Sequence, residues 1–186
     1  MARFACTLCG DCCTGGQVIR LTGGDLRLLA VRLDLSSVAE LRSRGLVSLV
    51  RETVGDGFVW RPRMRFRSHP VRQCPFLVNE VEEGVYRGLC SLHPDFKPLV
   101  CSLSPLAREV DDPGSGPVNE TWSVVAPVEG CPGMGQGEFL EAAAPRDLRE
   151  RLAEEVGWMR RLLAAAPECP DEDSAWAWLA SGVPVP

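Results

Sequence analysis

Hydrophobic positions first take a helical spacing just beyond residue 20. Leu26, Leu28, Leu29, Ala30 and Leu33 mark one face of a helix of about three turns. Thr22 and Asp25 precede it as a capping box, with Asp in the place of the usual Glu. Ser36 or Ser37 can cap a second helix, and Gly45 can end it. The pattern then changes. Residues 46–67 are rich in Val, Phe, Trp and alternating Arg, which predicts one or two strands. Residues 74–90 hold two apolar runs around a polar turn, predicting a hairpin with a cysteine at each outer end. Residues 111–119 read as an exposed loop and 121–126 as another strand. Residues 131–137 form a tight glycine-rich loop. Pro145 can open a long helix reaching Ala166, with Leu148, Leu152, Val156, Met159 and Leu163 on one face. A short helix near Ser174–Ala180 completes the reading.

Composition narrows the class. The chain has 186 residues, 45% hydrophobic and 24% charged, which suits a globular domain able to bury a core. Its net charge of −5 gives no global signature of nucleic-acid binding. No segment has the length of a transmembrane helix, and the start lacks the apolar stretch of a signal peptide. A cytoplasmic location is the expectation, where thiols stay reduced. Nine cysteines in such a chain need a cause. Their odd number and close spacing fit metal ligation better than a disulfide framework.

The sharpest signal is Cys6-x2-Cys9-Gly-Asp-Cys12-Cys13. A C-x2-C spacing lets one turn direct two thiolates at one metal, and a third cysteine continues a run used by many iron–sulfur loops. A hydrophobic core does not call for four thiols in eight residues. Cys74, Cys90, Cys101 and Cys131 are dispersed, each in loop-favouring surroundings. With the first cluster they make eight candidate metal ligands. Cys169 lies apart in the acidic tail and is left out.

These residues resemble the YkgJ-like cysteine-cluster family, described as putative zinc- or iron-chelating proteins. The resemblance runs through Phe4-x-Cys6-x2-Cys9-Gly10-x-Cys12-Cys13 and Leu21-Thr22-x2-Asp25. It continues through Cys74-Pro75-Phe76-Leu77, Cys90-Ser-Leu-His93-Pro94-x2-Lys97-Pro98-x2-Cys101-x3-Pro105 and Cys131-Pro132-Gly133-x-Gly135. In the family Tyr is commoner at the position of His93, and Arg is frequent at that of Lys97. The resemblance implies a metal-ligand set, while many members have no known activity. The cysteine pattern is also related to that of flagellin lysine methylase, which is associated with a [4Fe–4S] cluster. An iron–sulfur cluster is therefore the first expectation for the cofactor and zinc the alternative.

Other candidates carry less. His93 could complete a zinc site, but Tyr in relatives favours a supporting role. His69 reads as a surface residue. Arg61, Arg63, Arg65 and Arg67 would line one face of a strand, either solvated or turned toward thiolates or an acidic partner. Asp11 reads as a loop hydrogen-bonder, and Trp158, Trp176 and Trp178 as packing for the C-terminal helices.

The expected fold is a small α+β domain, rich in loops and organised by metal, with a short antiparallel sheet and peripheral helices. Residues 1–140 would form the cysteine-cluster domain, and 141–186 a helical extension packed on it. The expected function is metal binding with a redox role or a role accessory to protein modification. The alternatives are a zinc-stabilised interaction module and a metal-handling protein. A protein partner or substrate is expected, with no membrane and no nucleic acid. No catalytic residue is identified.

Overall fold

The computed structural model describes residues 2–14, 17–68, 70–112 and 117–185. His69 therefore lies outside the described residues, as do four residues of the 111–119 loop.

The capping box forms as its residue types require. Thr22 Oγ1 accepts from the Asp25 backbone N–H at 3.0 Å, and an Asp25 carboxylate oxygen accepts from Thr22 N–H at 2.8 Å. It starts α1 (Gly23–Arg32), whose Leu26, Leu29 and Ala30 are fully buried. After α2 (Ala39–Ser43) the chain turns at Gly45, which has φ of +67°, a conformation glycine adopts without steric cost. Val38, not Ser36 or Ser37, occupies the N-cap of α2, and no side chain caps it, because the two serines lie before the first turn. Ser36 donates to Glu40, and Ser37 Oγ accepts from Ala39 N–H.

Among the described residues, eight short strands pair as four separate antiparallel ribbons. The chain is thus a small α+β domain, as its pattern predicts, with four ribbons in place of one sheet. β2 (Val47–Val54) and β3 (Gly57–Met64) form the longest, in a register that sets Val47 against Met64 and Leu49 against Pro62. Those four residues face the core, while Arg61 and Arg63 alternate onto the other face. The strand ends at Met64, so Arg65 and Arg67 do not extend the expected row of four guanidinium groups. β4 (Leu77–Glu82) and β5 (Val85–Cys90) make the predicted hairpin, with Leu77 opposite Cys90. β6 (Leu106–Asp111) pairs with β7 (Asn119–Val124). β1 (Ala2–Phe4) pairs with β8 (Glu138–Leu140), which closes the two ends of the 1–140 region on each other. The pattern of residues did not reveal β1, β6, β8 or the short helix α3 (Leu99–Leu103).

The C-terminal helices enter the main core. α4 (Arg149–Ala165) and α5 (Glu172–Gly182) bury Trp158, Leu162, Trp176 and Leu179 in one cluster with Leu21, Leu26, Leu29, Val38 and Leu41. Trp158 and Trp178 pack with their rings tilted by 40° and centroids 5.6 Å apart. Gly23 is the close-approach residue of this packing. A methyl group added there would come within 2.8 Å of the Trp158 ring. The buried stripe of α4 differs from the expected one. It runs Leu152, Trp158, Leu162 and Ala165, leaving Leu163 exposed and Val156 and Met159 at its edge. Glu155 falls within that stripe and is held by Arg108, which explains why an apolar-only reading rotated the face. Among the described residues no helix is long and apolar enough to cross a membrane.

Candidate functional site

All nine cysteines are free thiols. The eight candidates come from five places in the chain, and local hydrogen bonding fixes each. In the first loop Gly10 takes φ of +80° and opens a single 3-10 turn over Asp11–Cys13. Cys13 N–H donates to Gly10 O at 2.8 Å, and Thr14 returns to Asp11 O through both its backbone N–H and its hydroxyl. Both Thr14 bonds use the backbone carbonyl of Asp11.

Two contacts carry this loop to the other cysteines. Cys74 N–H donates to Cys13 O at 2.7 Å, and Gly88 N–H donates to Leu8 O at 2.6 Å. Gly88 sits directly on Gly10. A Cβ at residue 88 would collide with the Gly10 backbone. The hairpin therefore presses its Cys90 end against the loop, and Cys74 and Cys90 pack at the margin of the main core. Cys101 arrives on α3, whose Leu99 N–H is capped by the carboxylate of Asp25 at 2.9 Å.

Burial, hydrogen bonds and nearby charge act on several of these thiols together. Cys13 donates to the Cys12 sulfur, which lowers the Cys12 pKa to about 6 against the opposing effect of burial, with help from the Lys97 ammonium. The same bond raises Cys13, and burial and the charges of Cys12, Cys74 and Cys90 raise it further. Burial pushes Cys74 up to about 11, reinforced by Cys90 and Cys12. Burial pushes Cys101 up to about 12, reinforced by Cys74 and Cys90 and opposed by Lys97. Cys74 and Cys90 thus act on both Cys13 and Cys101, with Cys12 beside Cys13. Lys97, the chain's single lysine, faces the group.

The segments around Cys6 and Cys131 lie side by side. Ala5 N–H donates to Gly133 O at 3.1 Å and Gly135 N–H to Arg3 O at 2.9 Å, so the Cys131 loop lies along the strand that leads into Cys6. The leading influences on Cys9 are burial, which raises it, and its loop neighbours Asp11 and Thr7. Among the described residues no three His, Cys, Asp or Glu side chains are drawn together closely enough to hold a metal ion as they stand. His93 is exposed and touches the group through its backbone, donating to Cys90 O at 3.0 Å. Cys169 is buried in the main core. Arg61 is held by Glu52 and Arg63 by Ser48, so neither faces a thiol through these bonds.

Residue patterns missed one participant. Arg151 of α4 donates to Asp25 Oδ1 at 2.9 Å and to Lys97 O at 2.8 Å. No motif marks it, since it lies beyond Cys131, the last candidate ligand.

No protein-family model matches the chain, and neither the curated proteins nor the solved structures contain a significant match.

Proposed function

We propose that the chain binds metal through cysteine thiolates, and that Cys13, Cys74, Cys90 and Cys101 form the principal donor set. The observation that carries this reading is the backbone contact that brings cysteine-bearing segments together, with Cys74 N–H on Cys13 O and the N–H of Gly88, two residues from Cys90, on Leu8 O. Four soft thiolates suit an iron–sulfur cluster or zinc. The chemistry of the donors fits, and binding must draw them inward from their present spacing. Such movement couples metal to the order of the loops. Lys97 offsets part of the thiolate charge. The remaining thiols, Cys6, Cys9, Cys12 and Cys131, are the donors available to a second position.

A [4Fe–4S] cluster is the favoured occupant, following the YkgJ-like resemblance, and would supply one-electron transfer. A role accessory to protein modification, a protein partner and a cytoplasmic location belong to the same reading. Zinc in the same donors would make the chain an interaction module.

Anaerobic purification followed by iron, sulfide and zinc analysis tests the proposal. The expected result is a brown protein with iron and sulfide in equal amounts, lost in both Cys74→Ser and Cys90→Ser. A colourless protein with stoichiometric zinc selects the alternative. A chain holding neither metal overturns both.

A further inference from the structure

The thiol group is joined to the C-terminal half by a buried ion pair that neither the cysteine pattern nor the core requires. Asp25 is 1% exposed, and its carboxylate accepts three hydrogen bonds, from Thr22 N–H, Leu99 N–H and Arg151 Nη2. One carboxylate therefore caps the first turns of both α1 and α3. Arg151 adds two further bonds to the same segment, from Nη2 to Lys97 O at 2.8 Å and from Nη1 to Ser102 Oγ at 3.4 Å. The run 97–102 is thus held at its beginning, at Leu99 and at its end. It bears the two side chains that matter to the thiol group, Lys97 and Cys101.

A charge buried at this depth is costly unless it is fully paired, so removing either partner leaves the other uncompensated. Apolar side chains could join α4 to α1 without that cost, and Trp158 already does so. What an ion pair adds is direction. Its bonds are charge-assisted, and they hold residues 97–102 at three atoms, the Lys97 carbonyl, the Leu99 N–H and the Ser102 hydroxyl.

We infer that Asp25 and Arg151 form a latch by which α4 positions Cys101 and Lys97 against Cys74 and Cys90, so that the C-terminal helix governs how firmly the thiol site is held. Arg151 is a positioning residue, acting through the 97–102 segment. The inference deepens the metal-binding reading and rests on it for its purpose, while the latch itself is testable in metal-free protein.

The experiment is peptide-resolved alkylation of the full chain by iodoacetamide, after chelation under reducing conditions, in wild type, Arg151→Ala and Arg151→Lys. Cys6 is exposed and reports the intrinsic reaction, while Cys169 is buried in the core and reports global unfolding. With the latch lost, Cys101 in Arg151→Ala should react about ten-fold faster, because the segment opens locally without charge-assisted bonds. Cys6 and Cys169 should keep their wild-type rates. Arg151→Lys, which keeps the charge but not the fork, should fall between the two. An unchanged Cys101 rate overturns the latch. So does a Cys169 rate that rises in step with Cys101 in both variants, since the effect is then general loss of fold. A second arm follows metal release from purified protein under a chelator, which Arg151→Ala should accelerate. If wild type carries no metal, the metal-binding reading fails, and the alkylation arm still decides the latch.

Discussion

Cys12 and Cys13 show how far two adjacent, chemically identical side chains can diverge. Cys12 lies at the surface, and the bond from Cys13 with the Lys97 charge lowers its pKa below that of a free thiol. Cys13 is half-buried, and its bond to Cys12, burial and the charges of Cys12, Cys74 and Cys90 raise its pKa. The reactive species is the thiolate. In metal-free protein, alkylation of Cys12 should set in at lower pH than that of Cys13. A peptide-resolved pH profile checks this. Replacing Lys97 by Met should move the Cys12 midpoint upward, because an attractive charge has been removed. A shared midpoint for the two thiols would show that their environments are not distinct. The motif announces both residues as ligands, but only the fold separates the more acidic thiol from the less acidic one.

At the level of elements, the decisive contact is glycine on glycine. The β4–β5 hairpin reaches the cysteine loop because neither Gly10 nor Gly88 carries a side chain at the point of contact. Gly88→Ala should push the hairpin and loop apart, at about the 1–3 kcal/mol typical of overpacking. Metal content should fall strongly, since Cys90 and Cys13 separate, while the helical core keeps its circular dichroism. Full metal occupancy in this variant would show that the contact does not position the donors. The hairpin itself was legible from its two apolar runs, and so were α1 and its capping box. The strands β1, β6 and β8 were not, because each is short and takes its partner from elsewhere in the chain or across a long loop. α4 was legible as a helix, but its buried face was not, since ion pairing brings Glu155 into a stripe that hydropathy reserves for apolar residues.

The whole molecule has two supports. One is the apolar cluster of α1, α2, α4 and α5, built around Trp158. The other is a set of loops at 4–14, 73–77, 88–102 and 131–137, joined mainly by backbone hydrogen bonds. The first holds without metal, whereas in the proposed function the second is completed by it. Chelation should therefore raise hydrogen exchange at 4–14, 73–77, 88–96 and 131–137, while 97–102, held by Asp25 and Arg151, keeps its protection with α4 and α5. Equal loss of protection throughout would mean that metal supports the core as well. Unchanged exchange everywhere would mean that the loops need no metal.

The sequence by itself determined the local and the chemical. It placed the caps, the helices with clear periodicity, two hairpins' worth of strand-forming residues and the eight thiols, because these depend on neighbours within a few positions. Only the tertiary structure decided which thiols are neighbours, and that α4 reaches back to them. Asp25 and Arg151 are 126 positions apart and meet across the core. No local pattern encodes such a meeting. It follows from how the buried faces of α1 and α4 pack, and packing is a property of the assembled chain.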